Sequence, residues 1–452
     1  MKLIVPVLAW TLALAGCGGG GGTSPAPPPP GVTPTPVPTG NPAPRAIKHI
    51  VIIFQENRTV DNLFNGFPGA DTAQSGLNSS GQSVPLQPID IAAPFDLDHS
   101  HRGFTTEYAG GAMNGFDRVG SSACTTCPAP NVRAYGYVPQ SQTGPYWQMA
   151  RQYVFGDRMF QTNEGPSFPA HAYIISGTSL ASTSSPLLAA ENPSVPGGAA
   201  TTAGCDAPAG TTVALIDPAS GDESQRAAPC FEHPVLFDLL DAHGVSWRYY
   251  QPRVGAGLWY APDAIQHIRF GADYANVVTP STNIISDVQG GTLAQVSWVI
   301  PTAAASDHAK STDGTGPAWV ASIVNAIGAS PYWTDTAIFV TWDDWGGWFD
   351  HVKPQQYNAY ELGLRVPLIV VSPYARPAYV SHVQHEFGSI LKFTESTFGL
   401  GTLGYTDARA DDLSDCFNFA QQPIAFRTIS STRTASYFQR LPADTRSPDD
   451  DF

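Results

Sequence analysis

Four apolar stretches constrain this chain most. Residues 47–54, 296–300, 337–342 and 366–371 are runs rich in Val, Ile and Phe, and each passes into polar residues at its carboxyl end. Gln55-Glu56-Asn57 follows the first, and a short loop to Ser306-Asp307-His308 follows the second. Asp343-Asp344 follows the third and Ser372-Pro373 the fourth. Continuous apolar runs suit strands buried on both faces, and helical patterns lie between them, at 234–243 (stopping at Gly244), 317–327 (stopping at Gly328) and 384–398. The expected fold class is therefore α/β, a mainly parallel central sheet with helices on both faces. Open sheets of this kind bind ligands beyond the carboxyl ends of their strands. Glu56, Asn57, His308, Asp343 and Asp344 are thus expected to meet at one edge, far apart in sequence though they are.

The amino terminus argues for export. Lys2 precedes an apolar run at 3–14 that is too short to span a bilayer, and Leu14-Ala15-Gly16-Cys17 reads as a bacterial lipobox rather than an ordinary signal peptide with an incidental cysteine. Residues 18–44 are almost entirely Gly, Pro, Ala, Thr and Ser, a composition unable to bury a core, and read as a tether. The expected organisation is a lipoprotein signal at 1–17, a disordered tether at 18–44 and a single folded domain at 45–452. The expected location is the outer membrane, periplasm or cell surface, with lipidated Cys17 holding the membrane. No later segment has the length of a transmembrane helix. Residues 189–222, rich in small and polar types, read as a surface excursion, and 441–452 as a polar, acidic tail.

With 23 Lys plus Arg against 38 Asp plus Glu, the chain carries −15. That balance argues against a nucleic-acid partner, and an anionic substrate would need local positive charge, most economically a metal ion. Beyond Cys17 five cysteines remain. Cys124 with Cys127, and Cys205 with Cys230, suit disulfides, although sequence does not fix the pairing, and one thiol is left over.

Adjacent carboxylates at a strand end repel each other unless a cation or protons compensate. Glu56, Asn57, Asp343 and Asp344 with a hydroxyl would make an oxygen ligand set for a hard divalent cation. Asp343-Asp344 also suits capping of the turn that begins at Gly346-Gly347. Ser167, with Pro169 just after it, reads as a helix N-cap, and the same position suits a nucleophile beside helix-end amides. His99 and His101 form a possible acid/base cluster, His308 has its strand-end location, His267 reads as a packed or exposed helical residue, and His351 as a partner of the aspartate pair.

Together these segments resemble the bacterial phosphoesterase family of phospholipases C and acid phosphatases, within the alkaline-phosphatase-like superfamily. The pieces that carry the resemblance are the segment from Ile47 through Gln55-Glu56-Asn57-Arg58 to Asp61, Gly165-Pro166-Ser167-Phe168-Pro169, the segment from Thr341 through Asp343-Asp344-Trp345-Gly346-Gly347 to Val352, and Arg365 to Tyr374. The resemblance implies an alkaline-phosphatase-like fold and a divalent metal ion held by Glu56, Asn57, Ser167, Asp343 and Asp344. It makes Ser167 ligand and nucleophile at once, and puts His99, His267 and His308 around the phosphate, His99 being preferred over His101. The implied reaction is hydrolysis of a phosphate ester through a phosphoserine, with metal, helix-end amides and histidines stabilising the phosphoryl oxygens, and His308 or His267 protonating the leaving group. Phosphomonoesters are the first expectation, as for an acid phosphatase. Phosphatidylcholine-like lipids, cut as by a phospholipase C, are the second, and a binding-only surface lipoprotein is the third.

Overall fold

The computed structural model describes residues 46–444 and 446, apart from 197, 200, 201 and 256. The signal segment, Cys17 and the tether lie outside the described residues, as do 445 and 447–452 of the tail. Among the described residues no helix is long and apolar enough to cross a membrane.

Nine strands form the central sheet: β1 (His49–Gln55), β2 (Val154–Phe160), β3 (Trp247–Tyr250), β4 (Val277–Val278), β5 (Val296–Val299), β6 (Thr336–Trp342), β7 (Arg365–Val371), β8 (Tyr379–Ser381) and β9 (His385–Glu386). Their order is β4-β3-β5-β1-β6-β7-β2-β8, with β9 also pairing with β2. All pairings are parallel except those of β7, which runs opposite to both neighbours. The reason lies in its connection. A parallel return needs a crossover, usually helical, and residues 343–364 contain no helix. Ser372-Pro373 therefore emerges at the edge opposite to Asp343.

The principal helices are α1 (His101–Tyr108), α2 (Gln140–Gln152), α3 (Ser167–Ser176), α4 (Leu236–Ala242), α5 (Asn283–Gly290), α6 (Gly316–Gly328) and α7 (Phe387–Phe398). Side chains alternate between the faces of a strand, and β6 shows what each face meets. Phe339 packs edge-on against Phe393 of α7, while Trp342 packs against Tyr146 of α2. Phe54 of β1, on the Phe339 side, meets both Phe387 and His171, so α3 and α7 share that face. Trp298 of β5 meets Phe237 of α4 edge to face there. The opposite face carries α2 against α6.

All residues of β6 and β7 are buried. Each buried Val, Ile, Leu or Phe contributes about 1.5–3 kcal/mol, which lets the sheet tolerate carboxylates buried at its edge, each costing several kcal/mol when uncompensated.

Two sequence expectations are revised. Residues 384–398 are not all helical, because His385–Glu386 joins the sheet before α7 begins. The excursion at 189–222 contains the buried strand Val213–Ile216, which pairs with Leu188–Ala189 and Gln225–Ala227 in a small second sheet; its apolar core was masked by small polar neighbours. Among the described residues the disulfides are Cys124–Cys127 and Cys205–Cys230, the pairs the sequence suggested, and the free thiol is the buried Cys416.

Candidate active site

The register of β1 and β6 brings the two acidic pairs together. Gln55 lies opposite Trp342, and the Asp343 amide continues the ladder by donating to the Gln55 carbonyl at 3.0 Å. Glu56 and Asn57 thus emerge beside Asp343 and Asp344. Asn57 turns with a φ of +65°, a left-handed conformation that Asn adopts more readily than most residues. In that turn its backbone amide donates to Asp343 Oδ1 at 3.1 Å and its side-chain amide to Asp344 Oδ2 at 3.2 Å. Gly346 (φ +63°) completes the fit, since a Cβ there would lie 2.4 Å from the Asn57 carbonyl oxygen.

Ser167 reaches the same edge because β2 runs parallel to β6, with antiparallel β7 between them. Residues 161–166 then lead into α3. Ser167 is the first helical residue rather than the N-cap, a place taken by Pro166. Its hydroxyl is accordingly turned away from the helix amides and donates to Asp344 Oδ2 at 3.2 Å. The helix-end amides are also less available than the sequence suggested: the Phe168 amide donates to Asn192 Oδ1, and residue 169 is proline. Asp344 satisfies both sequence readings, one oxygen accepting from the Gly346 amide at 2.7 Å to hold the turn and the other facing Ser167 and Asn57.

Glu56, Asn57, Ser167, Asp343 and Asp344 are all buried. Burial pushes the Asp343 carboxyl well above the usual carboxylate range, the Glu56 carboxylate pushes it further, and the His171 ring opposes both. Asn57 Oδ1 and Asp343 Oδ2 are buried oxygens that accept no hydrogen bond. A cluster of buried carboxylates with such oxygens aimed inward suits a hard divalent cation.

Two histidines pair with each other near the turn that follows Asp344. The rings of His99 and His308 meet edge to face at 5.6 Å, and His99 also faces Trp345, which follows Asp344. Each is held by its Nδ1–H, which donates to the Leu97 carbonyl in His99 (2.7 Å) and to the Ala309 carbonyl in His308 (2.6 Å). That fixes Nε2 as the nitrogen that exchanges protons in each.

The sequence model of the Phosphoesterase family matches residues 47–401. The chain belongs to the Phosphoesterase family. It is a phosphoric ester hydrolase. It is similar to phospholipase C A of Mycobacterium tuberculosis, 25% identical over 460 residues that cover 88% of this chain and 82% of that one. It is also similar to a non-hemolytic phospholipase C of Burkholderia pseudomallei (24% identical, covering 86% of this chain and 61% of the relative) and to non-specific phospholipase C6 of Arabidopsis thaliana (21%, covering 83% and 73%). Among solved structures it is similar to a protein in the alkaline phosphatase superfamily from Vibrio parahaemolyticus, with a TM-score of 0.39, 11% identity and coverage of 83% and 72%.

The other histidines singled out in the sequence of this phosphoesterase bind other carboxylates. His267 sits on a short helix with its side chain 32% exposed, and its ring nitrogens bind Glu232 at 2.8 Å and Asp238 at 3.1 Å rather than joining the Ser167 cluster. His101 is bound to Glu164 and Glu223, which raise its pKa to about 9 against the opposing effect of burial. His351 does not support the aspartate pair as expected. It binds Asp61 at 2.6 Å and Asp71 at 3.0 Å, in a separate network where Arg365 pairs with Asp350 at 2.8 Å and lies 3.7 Å from Asp61.

Sequence reading missed His171. Its Nε2 is 3.1 Å from Glu56 Oε1 and 3.6 Å from Asp343 Oδ2. The available signal was its spacing, four residues after Ser167 and so on the same helix face. Also missed was the support for His308. Arg58 Nε donates to the Asp307 carbonyl at 2.8 Å, and the Asp307 carboxylate accepts from Tyr146 and Trp342.

Proposed function

We propose that this phosphoesterase hydrolyses phosphodiesters in the manner of a phospholipase C, through a phosphoserine on Ser167 and with a divalent cation held by Glu56, Asn57, Ser167, Asp343 and Asp344. The observation that carries the reading is the Ser167 hydroxyl, buried at the start of α3 and hydrogen-bonded to Asp344 amid inward-facing oxygen donors. When bound, the cation would lower the pKa of the Ser167 hydroxyl and offset phosphate charge. Asp344 accepts the hydroxyl hydrogen bond and orients Oγ for attack on phosphorus. Asn57 and the Gly346 turn hold Asp344 in place. His308, fixed by its Nδ1 bond and adjoined by His99, donates the Nε2 proton to the departing alkoxide. Geometry supports His308 over His267 for that role, since His267 is occupied by Glu232 and Asp238.

The relatives named phospholipase C move the preferred substrate from the monoester, first on sequence grounds, to the diester. One observation favours the acid-phosphatase reading as an alternative: Ser167, Asp343, Asp344 and His308 are each 0% exposed, a depth that suits a small phosphate monoester. Rates on p-nitrophenyl phosphate and on p-nitrophenyl phosphorylcholine separate the two. A higher kcat/KM for the phosphorylcholine ester is expected, and turnover of the monoester alone would overturn the diester reading.

We further propose export and lipidation at Cys17, supported by Leu14-Ala15-Gly16-Cys17 and the tether composition. A Cys17→Ser chain should leave the membrane fraction of the producing cell, and continued membrane retention would sink the anchor.

A further inference from the structure

We propose that His385, Asp415 and Cys416 form a second cation site, distinct from the Ser167 cluster and suited to a thiophilic divalent metal such as zinc. The three residues come from β9 and from the segment after α7, and an imidazole nitrogen, a carboxylate oxygen and a sulfur lie within 4.8 Å of one another. The separations have the scale of a coordination sphere. His385 Nε2 is 3.7 Å from Asp415 Oδ1, and Cys416 Sγ is 3.6 Å from that same oxygen. Zinc bond lengths of about 2.0–2.3 Å in a tetrahedron put neighbouring donors about 3.3–3.7 Å apart.

The surroundings point the same way. Histidines that bind metals commonly donate their other ring N–H to a carboxylate, which fixes the tautomer. Here His385 Nδ1 donates to Asp411 Oδ1 at 2.7 Å. Asp411 is itself held, accepting from Ser389 Oγ at 2.6 Å and from the Leu413 amide at 2.9 Å. This leaves Nε2 hydrogen-bonded to Ser381 Oγ at 3.0 Å and 3.7 Å from Asp415 Oδ1. His385 and Cys416 are buried, whereas the side chains of Asp411 and Asp415 are 25% and 22% exposed, so a hydrated ion has an approach from solvent.

The donor chemistry is selective. Among the described residues Cys416 is the cysteine left out of a disulfide. One thiolate and one carboxylate with an imidazole bound through Nε2 balance a dication, the proton of the thiol and any proton on Nε2 passing to solvent on binding. A sulfur donor disfavours calcium and magnesium and favours zinc or cobalt. Without a metal the same residues act as a hydrogen-bonded staple, with Ser381 Oγ donating to Asp415 Oδ2, and that is the competing account.

Cobalt distinguishes them. The full chain, stripped by chelation and titrated with Co2+, should develop a thiolate-to-cobalt charge-transfer band that zinc abolishes. The Ser167 cluster offers oxygen and nitrogen donors and gives no such band, so failure of the proposed catalytic metal would leave this readout intact. Cys416→Ser should lose the band while keeping phosphoesterase turnover within about twofold, and its zinc stoichiometry should fall by one. His385→Asn should bind zinc at least tenfold more weakly. Absence of the band in the parent chain, its persistence in Cys416→Ser, or equal zinc stoichiometry in parent and Cys416→Ser would each overturn the site.

Discussion

At the scale of single residues, the site rests on where one hydroxyl points. Because Pro166 rather than Ser167 occupies the N-cap position, Ser167 Oγ bonds to Asp344 and not to its own helix. Ser167→Ala is expected to reduce kcat by on the order of 10³-fold or more, with an unchanged far-ultraviolet spectrum; ordinary turnover in that variant would remove the covalent route. His171 acts on the same cluster from one helical turn away, against Glu56 and Asp343. His171→Ala should weaken divalent-metal affinity by about 10–100-fold, as loss of such supporting partners does. Calorimetric titration with the metal gives the value, and an affinity equal to the parent's would show the ring to be mere packing. Much at this scale was legible in sequence: Glu56, Asn57, Asp343 and Asp344 stand out because paired polar residues directly after buried apolar strands are costly without a purpose. His171 was not legible, since a histidine inside the apolar helix Ser167–Ser176 looks like a packed residue until the strand-end carboxylates arrive beside it.

At the scale of elements, the turn after β6 is the most demanding piece of backbone. Gly346 and Gly347 both have left-handed φ values, and a Cβ at either would strike neighbours, Asn57 at the first and Leu97 at the second. Gly346→Ala combines that contact with an unfavourable conformation, a cost of about 1–3 kcal/mol. A lowered urea midpoint together with reduced kcat is expected, because the turn holds both Asp344 and Asn57. A variant with parental stability and rate would show that the turn relaxes freely. The four apolar strands were readable because burial on both faces leaves a continuous Val and Ile signature. The direction of β7 was not, because its Val- and Ile-rich composition resembles that of the parallel strands β1 and β6, and only the helix-free 343–364 connection reverses it. The short strand Val213–Ile216 escaped notice for lack of length.

At the scale of the whole molecule, buried carboxylates at one sheet edge make stability depend on what compensates them. If a divalent cation binds the native site and not the unfolded chain, its presence at a hundredfold excess over Kd adds about 2.7 kcal/mol. The melting temperature should therefore fall when a chelator replaces the metal, and should be restored by readdition. Identical melting curves in both conditions would contradict the proposed metal at the Ser167 cluster.

The sequence by itself determined the layered α/β class, the polar pairs at the ends of buried strands, and the family pattern around Glu56, Ser167 and Asp343, because these depend on local composition and on residues adjacent along the chain. Only the tertiary structure decided which distant side chains share a site. His99 joined His308 while His267 bound Glu232 and Asp238, and His351 went to Asp61. A histidine's partners are set by strand register and loop paths that bring together residues tens to hundreds of positions apart, and no local pattern encodes that meeting.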